Sequence, residues 1–101
     1  MKIFYDFSEV PGGYKPVEPP FIISVPRYFR CDPEDLPREI RDESERKSAV
    51  EDALETGNVG GDCDAILVGP GRIEIVCEPE GGYDCWGKAI LYLPIVRLKK
   101  A

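Results

Sequence analysis

Apolar residues cluster in two parts of this chain in patterns that predict β-strands. Residues 21–25 are β-branched or aromatic apart from one serine, and prolines stand on both sides, which predicts a buried strand that can continue to Phe29. Residues 64–68 and 72–78 form two further runs on either side of the Gly-Pro-Gly segment at 69–71. Because Gly and Pro favour turns, these two runs predict an antiparallel β-hairpin.

A helical period replaces the strand pattern between residues 44 and 56. Ser44 is the predicted N-cap and Gly57 the predicted stop. One apolar face at the helical spacing would consist of Ala49, Val50, Ala53 and Leu54. The opposite positions are expected to face water, namely Glu45, Arg46, Glu51, Asp52 and Glu55.

The segment from residue 84 to residue 98 supports two interpretations. Asp84 can cap a helix whose buried face would be formed by Trp86, Ala89, Ile90 and Leu93 at i, i+3, i+4 and i+7. Pro94 would end this helix, and residues 94–98 would return as a strand. The alternative is one long strand over residues 88–98, which are rich in strand-forming side chains.

These elements predict an α+β fold. In the first interpretation the order is strand, helix, strand, strand, helix, strand, which is the ferredoxin-like βαββαβ arrangement. In the alternative, one helix packs on a five-stranded antiparallel sheet. Residues 1–20 are expected to form an N-terminal strand and a Pro/Gly-rich arm whose aromatic side chains lie on the domain, and residues 21–101 a single domain.

Charge and length narrow the class of partner. The chain has 101 residues, enough for one domain, a net charge of −6 and a sequence pI near 4.6. Nucleic-acid binding requires clustered Lys and Arg, so we expect no direct contact with DNA or RNA and favour a protein partner with a basic surface. No apolar run approaches the roughly 20 residues of a membrane span, which predicts a cytoplasmic protein, inside the host cell if it is viral.

Heat-labile residues are scarce. The sequence holds no Gln, one Asn and one Met beside ten Pro. This composition resembles that of hyperthermophile proteins, in which intracellular disulfides also occur.

Four cysteines occur without a C-x-x-C pair, and the chain has no His, so a zinc site is not expected. In the predicted hairpin Ile73, Ile75 and Cys77 face inward, and a small register shift would set Cys77 opposite Cys63. That pair is the first disulfide candidate, and Cys31 and Cys85 are the remaining candidates.

The chain has few residues of the types that usually act in catalysis. Without His there is no imidazole base, and the carboxylates flanking Cys85 would raise its pKa and disfavour a nucleophilic role. We therefore expect no catalytic residue, no cofactor and no metal. The alternative is a carboxylate enzyme or metal-binding protein that uses the acids around the hairpin, namely Asp62, Asp64, Glu74, Glu78, Glu80 and Asp84.

Acidic residues are densest between residues 32 and 55. This stretch is the candidate partner surface, with carboxylates at Asp32, Glu34, Asp35, Glu39, Asp42, Glu43, Glu45, Glu51, Asp52 and Glu55. The leading hypothesis is a non-enzymatic interaction protein, such as a viral or mobile-element accessory protein or inhibitor, that occupies a basic groove on another protein. A second hypothesis is a structural subunit assembled into an oligomer or particle through its N-terminal arm.

Overall fold

In the computed structural model, residues 2–30, 34, 36, 38–55, 63–77 and 86–101 are described. These residues form seven strands, one α-helix and one 3-10 turn. In chain order they are β1 (Lys2–Phe4), the 3-10 turn (Phe7–Glu9), β2 (Tyr14–Pro16), β3 (Phe21–Phe29), β4 (Glu39–Ile40), α1 (Glu43–Glu55), β5 (Ala65–Val68), β6 (Gly71–Cys77) and β7 (Gly87–Lys100). The strands make one curled mixed sheet, so the protein is α+β.

Strand β7 organises the sheet because it is paired along both edges. Its 14 residues span about 46 Å at the usual rise per residue. On one edge it pairs antiparallel with β3 and then β2, and on the other with β6 and then β5. Strand β1 extends the sheet by pairing parallel with β5, and β4 by pairing antiparallel with β6.

The predicted helix after residue 86 is wrong, and the alternative of one strand is confirmed, although the sheet is mixed with seven strands and not antiparallel with five. Alternate β7 residues from Ala89 to Ile95 are at most 2% exposed, whereas Ile90 and Tyr92 between them are half-buried. Of the four residues at helical spacing, Ala89 and Leu93 lie on the buried face of this strand, whereas Ile90 is half-buried and Trp86 is 55% exposed. The ferredoxin-like arrangement is therefore not confirmed.

The predicted hairpin is also wrong, because β5 and β6 do not pair with each other. They follow one another along the same edge of β7, facing residues 95–98 and 88–92 respectively. The Gly-Pro-Gly segment between them interrupts this ladder instead of turning the chain back.

The interruption accommodates a proline in the middle of β7. Gly69 N donates to the carbonyl of Pro94 at 3.0 Å. Since the N and the carbonyl of a strand residue point to the same edge, the missing N–H of Pro94 faces the gap between β5 and β6. A Cβ at position 69 would lie 2.8 Å from the Pro94 ring, so this close approach favours glycine.

The predicted helix is confirmed as α1, with a different N-cap. The Asp42 carboxylate accepts from Glu45 N at 3.2 Å, and its carbonyl accepts from Arg46 N at 3.1 Å. Asp42 therefore caps the helix in place of the predicted Ser44. Three residues of the predicted apolar face are buried against the sheet, namely Ala49, Val50 and Ala53, whereas Leu54 is 37% exposed.

Arg46 was expected to face water and is instead buried, with 8% of its surface exposed. Its Nη1 donates to the carbonyls of Tyr5 at 2.8 Å and Val68 at 2.9 Å, and its Nη2 donates to that of Arg41 at 3.0 Å. These acceptors lie just after β1, at the end of β5 and just after β4. The guanidinium therefore ties the first turn of α1 to three segments of the sheet.

Candidate protein-binding surface

The described carboxylates of β4 and α1 are exposed on the outside of the molecule. Of the ten predicted surface acids, Asp32 and Asp35 lie outside the described residues. The other eight are all exposed, namely Glu34, Glu39, Asp42, Glu43, Glu45, Glu51, Asp52 and Glu55. We call the seven between residues 39 and 55 the acidic surface.

Some members of the acidic surface have partners within the chain. Asp52 forms a salt bridge with Arg27 of β3 at 2.8 Å, and Glu39 forms one with Arg41 at 2.7 Å. Asp42 is used as the helix cap. Within the acidic surface, the carboxylates of Glu43, Glu45, Glu51 and Glu55 neither cap the helix nor form a salt bridge with another described residue.

The placement of Glu51 and Glu55 lowers the stability of α1. They stand four residues apart on the outer side of the helix, where two like charges cost about 0.2–0.5 kcal/mol, and Lys47, four residues before Glu51, offsets a similar amount. The last turn of α1 has no basic residue, and a negative charge near a helix C-terminus opposes the helix dipole by roughly 0.3–1 kcal/mol. Packing does not require these two side chains, since both are exposed.

A shallow depression of about 520 Å³ lies between β4 and the start of α1. Three carboxylates line it, those of Glu39, Asp42 and Glu45, together with Arg41. Its size and its excess of negative charge suit the end of a Lys or Arg side chain from another molecule.

The negative charge of α1 also acts on Tyr5, which follows β1. Burial raises the pKa of the Tyr5 phenol, and Glu51 and then Glu43 raise it further. The Arg46 guanidinium, 5.6 Å from the centroid of the Tyr5 ring, opposes this shift. Neutral Tyr5 is therefore the form that the folded protein favours.

The two described acids of the predicted hairpin group, Asp64 and Glu74, lie far apart. Asp64 accepts from Lys100 N at 2.8 Å, whereas Glu74 faces Ile90, about ten residues and roughly 33 Å further along β7. The other four acids, Asp62, Glu78, Glu80 and Asp84, lie outside the described residues. Among the residues that are described, no three His, Cys, Asp or Glu side chains form a cluster suited to a metal ion.

The predicted pairing of Cys63 with Cys77 is wrong because the two residues lie beside distant positions of β7. Cys63 precedes Asp64, whose N donates to the carbonyl of Leu98, while Cys77 faces Lys88. Ten residues of β7, about 33 Å, separate these two positions, whereas a disulfide requires Cα atoms within about 7 Å. An irregularity between Ile75 and Cys77 also leaves Cys77 exposed instead of inward-facing. Cys31 and Cys85 lie outside the described residues.

One aromatic side chain in the N-terminal arm is exposed, which the sequence pattern did not predict. Phe4 is buried and packs edge-on against Tyr14, as expected for aromatics that lie on the domain, but Phe7 is 78% exposed. The available signal was its neighbours, since Asp6, Ser8 and Glu9 leave Phe7 as an isolated apolar residue in a polar turn.

No protein-family model matches the chain, and no curated protein or solved structure is significantly similar to it. Its class is therefore defined by its own fold, an α+β protein with one described helix on a curled mixed sheet of seven strands. In the described portion there is no helix with the length and apolar character needed to cross a membrane.

Proposed function

We infer that this protein is a non-enzymatic interaction protein that places its acidic surface in a basic groove of another protein. The observation that carries this proposal is the position of Glu51 and Glu55. Both are exposed, they repel each other, and Glu55 stands in the last turn of the helix, where negative charge is unfavourable. Residues that lower stability without serving the core often serve a functional site.

Binding of this kind would depend on charge. The four carboxylates of α1 that form no salt bridge with a described residue project from a helix that packing and the Arg46 hydrogen bonds hold on the sheet. A rigid array of like charges attracts an oppositely charged groove over a distance and speeds association. An inhibitor or a viral accessory protein acting in this way would exclude whatever normally fills the groove, including nucleic acid.

Capture from an extract of the source cells tests the proposal. The bait would be the whole chain, compared with a Glu51→Gln/Glu55→Gln variant. The control is Glu18→Gln/Glu74→Gln, which removes the same charge from two acids outside α1 that pair with Arg97 and Arg72. We expect a basic protein to be retained at low salt by the wild type and the matched control, and to be lost from the α1 variant and at high salt. Equal retention by all three baits would contradict the proposal.

A further inference from the structure

The exposed Phe7 is held on a fixed backbone. The Asp6 carboxylate accepts from Ser8 N at 3.0 Å, Glu9 N donates to the Asp6 carbonyl at 3.0 Å, and Val10 N donates to the Phe7 carbonyl at 3.1 Å. These bonds define the 3-10 turn and set the direction of the Phe7 side chain. An aromatic ring presented in this way is typical of the anchor residues of protein interfaces.

An apolar groove of about 470 Å³ lies directly beside Phe7. Phe7 forms one wall, and the N-terminal arm and the sheet form the others, with Val10, Tyr14 and Pro16 from the arm and Leu67 and Val96 from the sheet. The volume of the groove is enough for an aromatic side chain from another molecule.

The 3-10 turn is acidic, whereas the edge of the apolar groove is basic. Asp6 and Glu9 flank Phe7, and hydrogen bonding to Ser8 lowers the pKa of Asp6, which keeps it ionised. On the groove side, Lys2 and Lys100 line a neighbouring depression that shares Pro11, Gly12 and Tyr14 with the groove wall. An acidic segment with an aromatic centre thus lies next to an apolar groove with a basic edge.

We propose that this patch is the interface of a symmetric homodimer in which each Phe7 enters the groove of the other copy. A two-fold axis requires a surface that is complementary to itself, with the projecting group and its receptor on the same patch. Phe7 and the groove meet this requirement in shape. Asp6 and Glu9 facing Lys2 and Lys100 of the second copy meet it in charge. The inference concerns a different surface from α1 and does not depend on the proposed partner.

Sedimentation of the whole chain at two concentrations about a hundredfold apart measures this association. We expect the wild type to dimerise and Phe7→Ala to weaken dimerisation by at least about 30-fold, as for an aromatic hot spot. Tyr28→Ala is the matched control, because Tyr28 is also an exposed aromatic residue, at 66%, but lies in β3 away from the groove. It should leave the dimer unchanged.

A charge exchange separates the specific interface from general stickiness. Glu9→Lys and Lys100→Glu should each weaken the dimer, and the double variant should recover most of the loss because it restores opposite charges across the axis. A monomer at both concentrations would overturn the proposal, including a monomer whose groove binds a hydrophobic dye. So would a dimer that survives Phe7→Ala, whether or not Tyr28→Ala weakens it.

Discussion

Replacing Glu55 by Lys should stabilise the free protein. The change removes the repulsion between Glu51 and residue 55 and substitutes an attraction at the same i, i+4 spacing, each of about 0.2–0.5 kcal/mol. It also replaces an unfavourable charge by a favourable one in a last turn that has no basic residue, which adds roughly 0.3–1 kcal/mol. The expected gain is therefore about 1 kcal/mol, which corresponds to a rise in Tm of about 4–8 °C for a domain of this size.

Urea unfolding followed by circular dichroism, at low and at high salt, measures this gain. Because exposed charges are screened within about 3 Å at 1 M salt, most of the gain should disappear there. Glu74→Lys is the matched control, since Glu74 is an exposed acid in a strand, 3.5 Å from Arg72, and losing that pair should give no gain. A Glu55→Lys protein that is no more stable than the wild type at low salt would contradict the predicted cost of negative charge at the end of α1.

Three further changes test the interior and its titration. Arg46→Met should lower the free energy of unfolding by about 3 kcal/mol in a urea titration, since it leaves three carbonyls without their donor, and a loss under about 1 kcal/mol would contradict the role given to Arg46. Gly87→Ala should cost about 1–3 kcal/mol in the same assay because its Cβ would lie 2.4 Å from the Phe29 ring, and an unchanged midpoint would show that the ring moves freely. The pKa of Tyr5 is raised in the folded protein, so its contribution to the free energy of unfolding is complete below the ordinary pKa of 10.0 and is lost as pH rises through the pKa of the folded state. Tyr5→Phe should therefore lose less stability than the wild type above pH 10. Equal losses in the two proteins, measured by unfolding at several pH values, would argue against this.

Local sequence patterns were sufficient to predict the type of two elements, α1 and β3. The period of α1 and the β-branched content of β3 predicted both elements correctly, although the cap at Asp42 was placed two residues late. The acidic surface was also predictable, because exposed charge follows from composition and helical period alone.

Pairing between distant segments decided the rest. Residues 87–93 fit a helix or a strand locally, but only a strand gives β3 and β6 a common partner. Gly-Pro-Gly is a turn signal by itself, and it becomes a ladder interruption only when Pro94 of β7 lies opposite. The burial of Arg46 likewise depends on carbonyls that are distant in sequence.

The acidic surface is proposed to bind its partner by charge. The most direct test is the salt dependence of the dissociation constant for the purified complex, with wild type and Glu51→Gln/Glu55→Gln measured side by side. We predict that the affinity of the wild type falls steeply with salt and that the variant binds more weakly with a shallower slope. Equal affinities and equal slopes for the two proteins would contradict the claim.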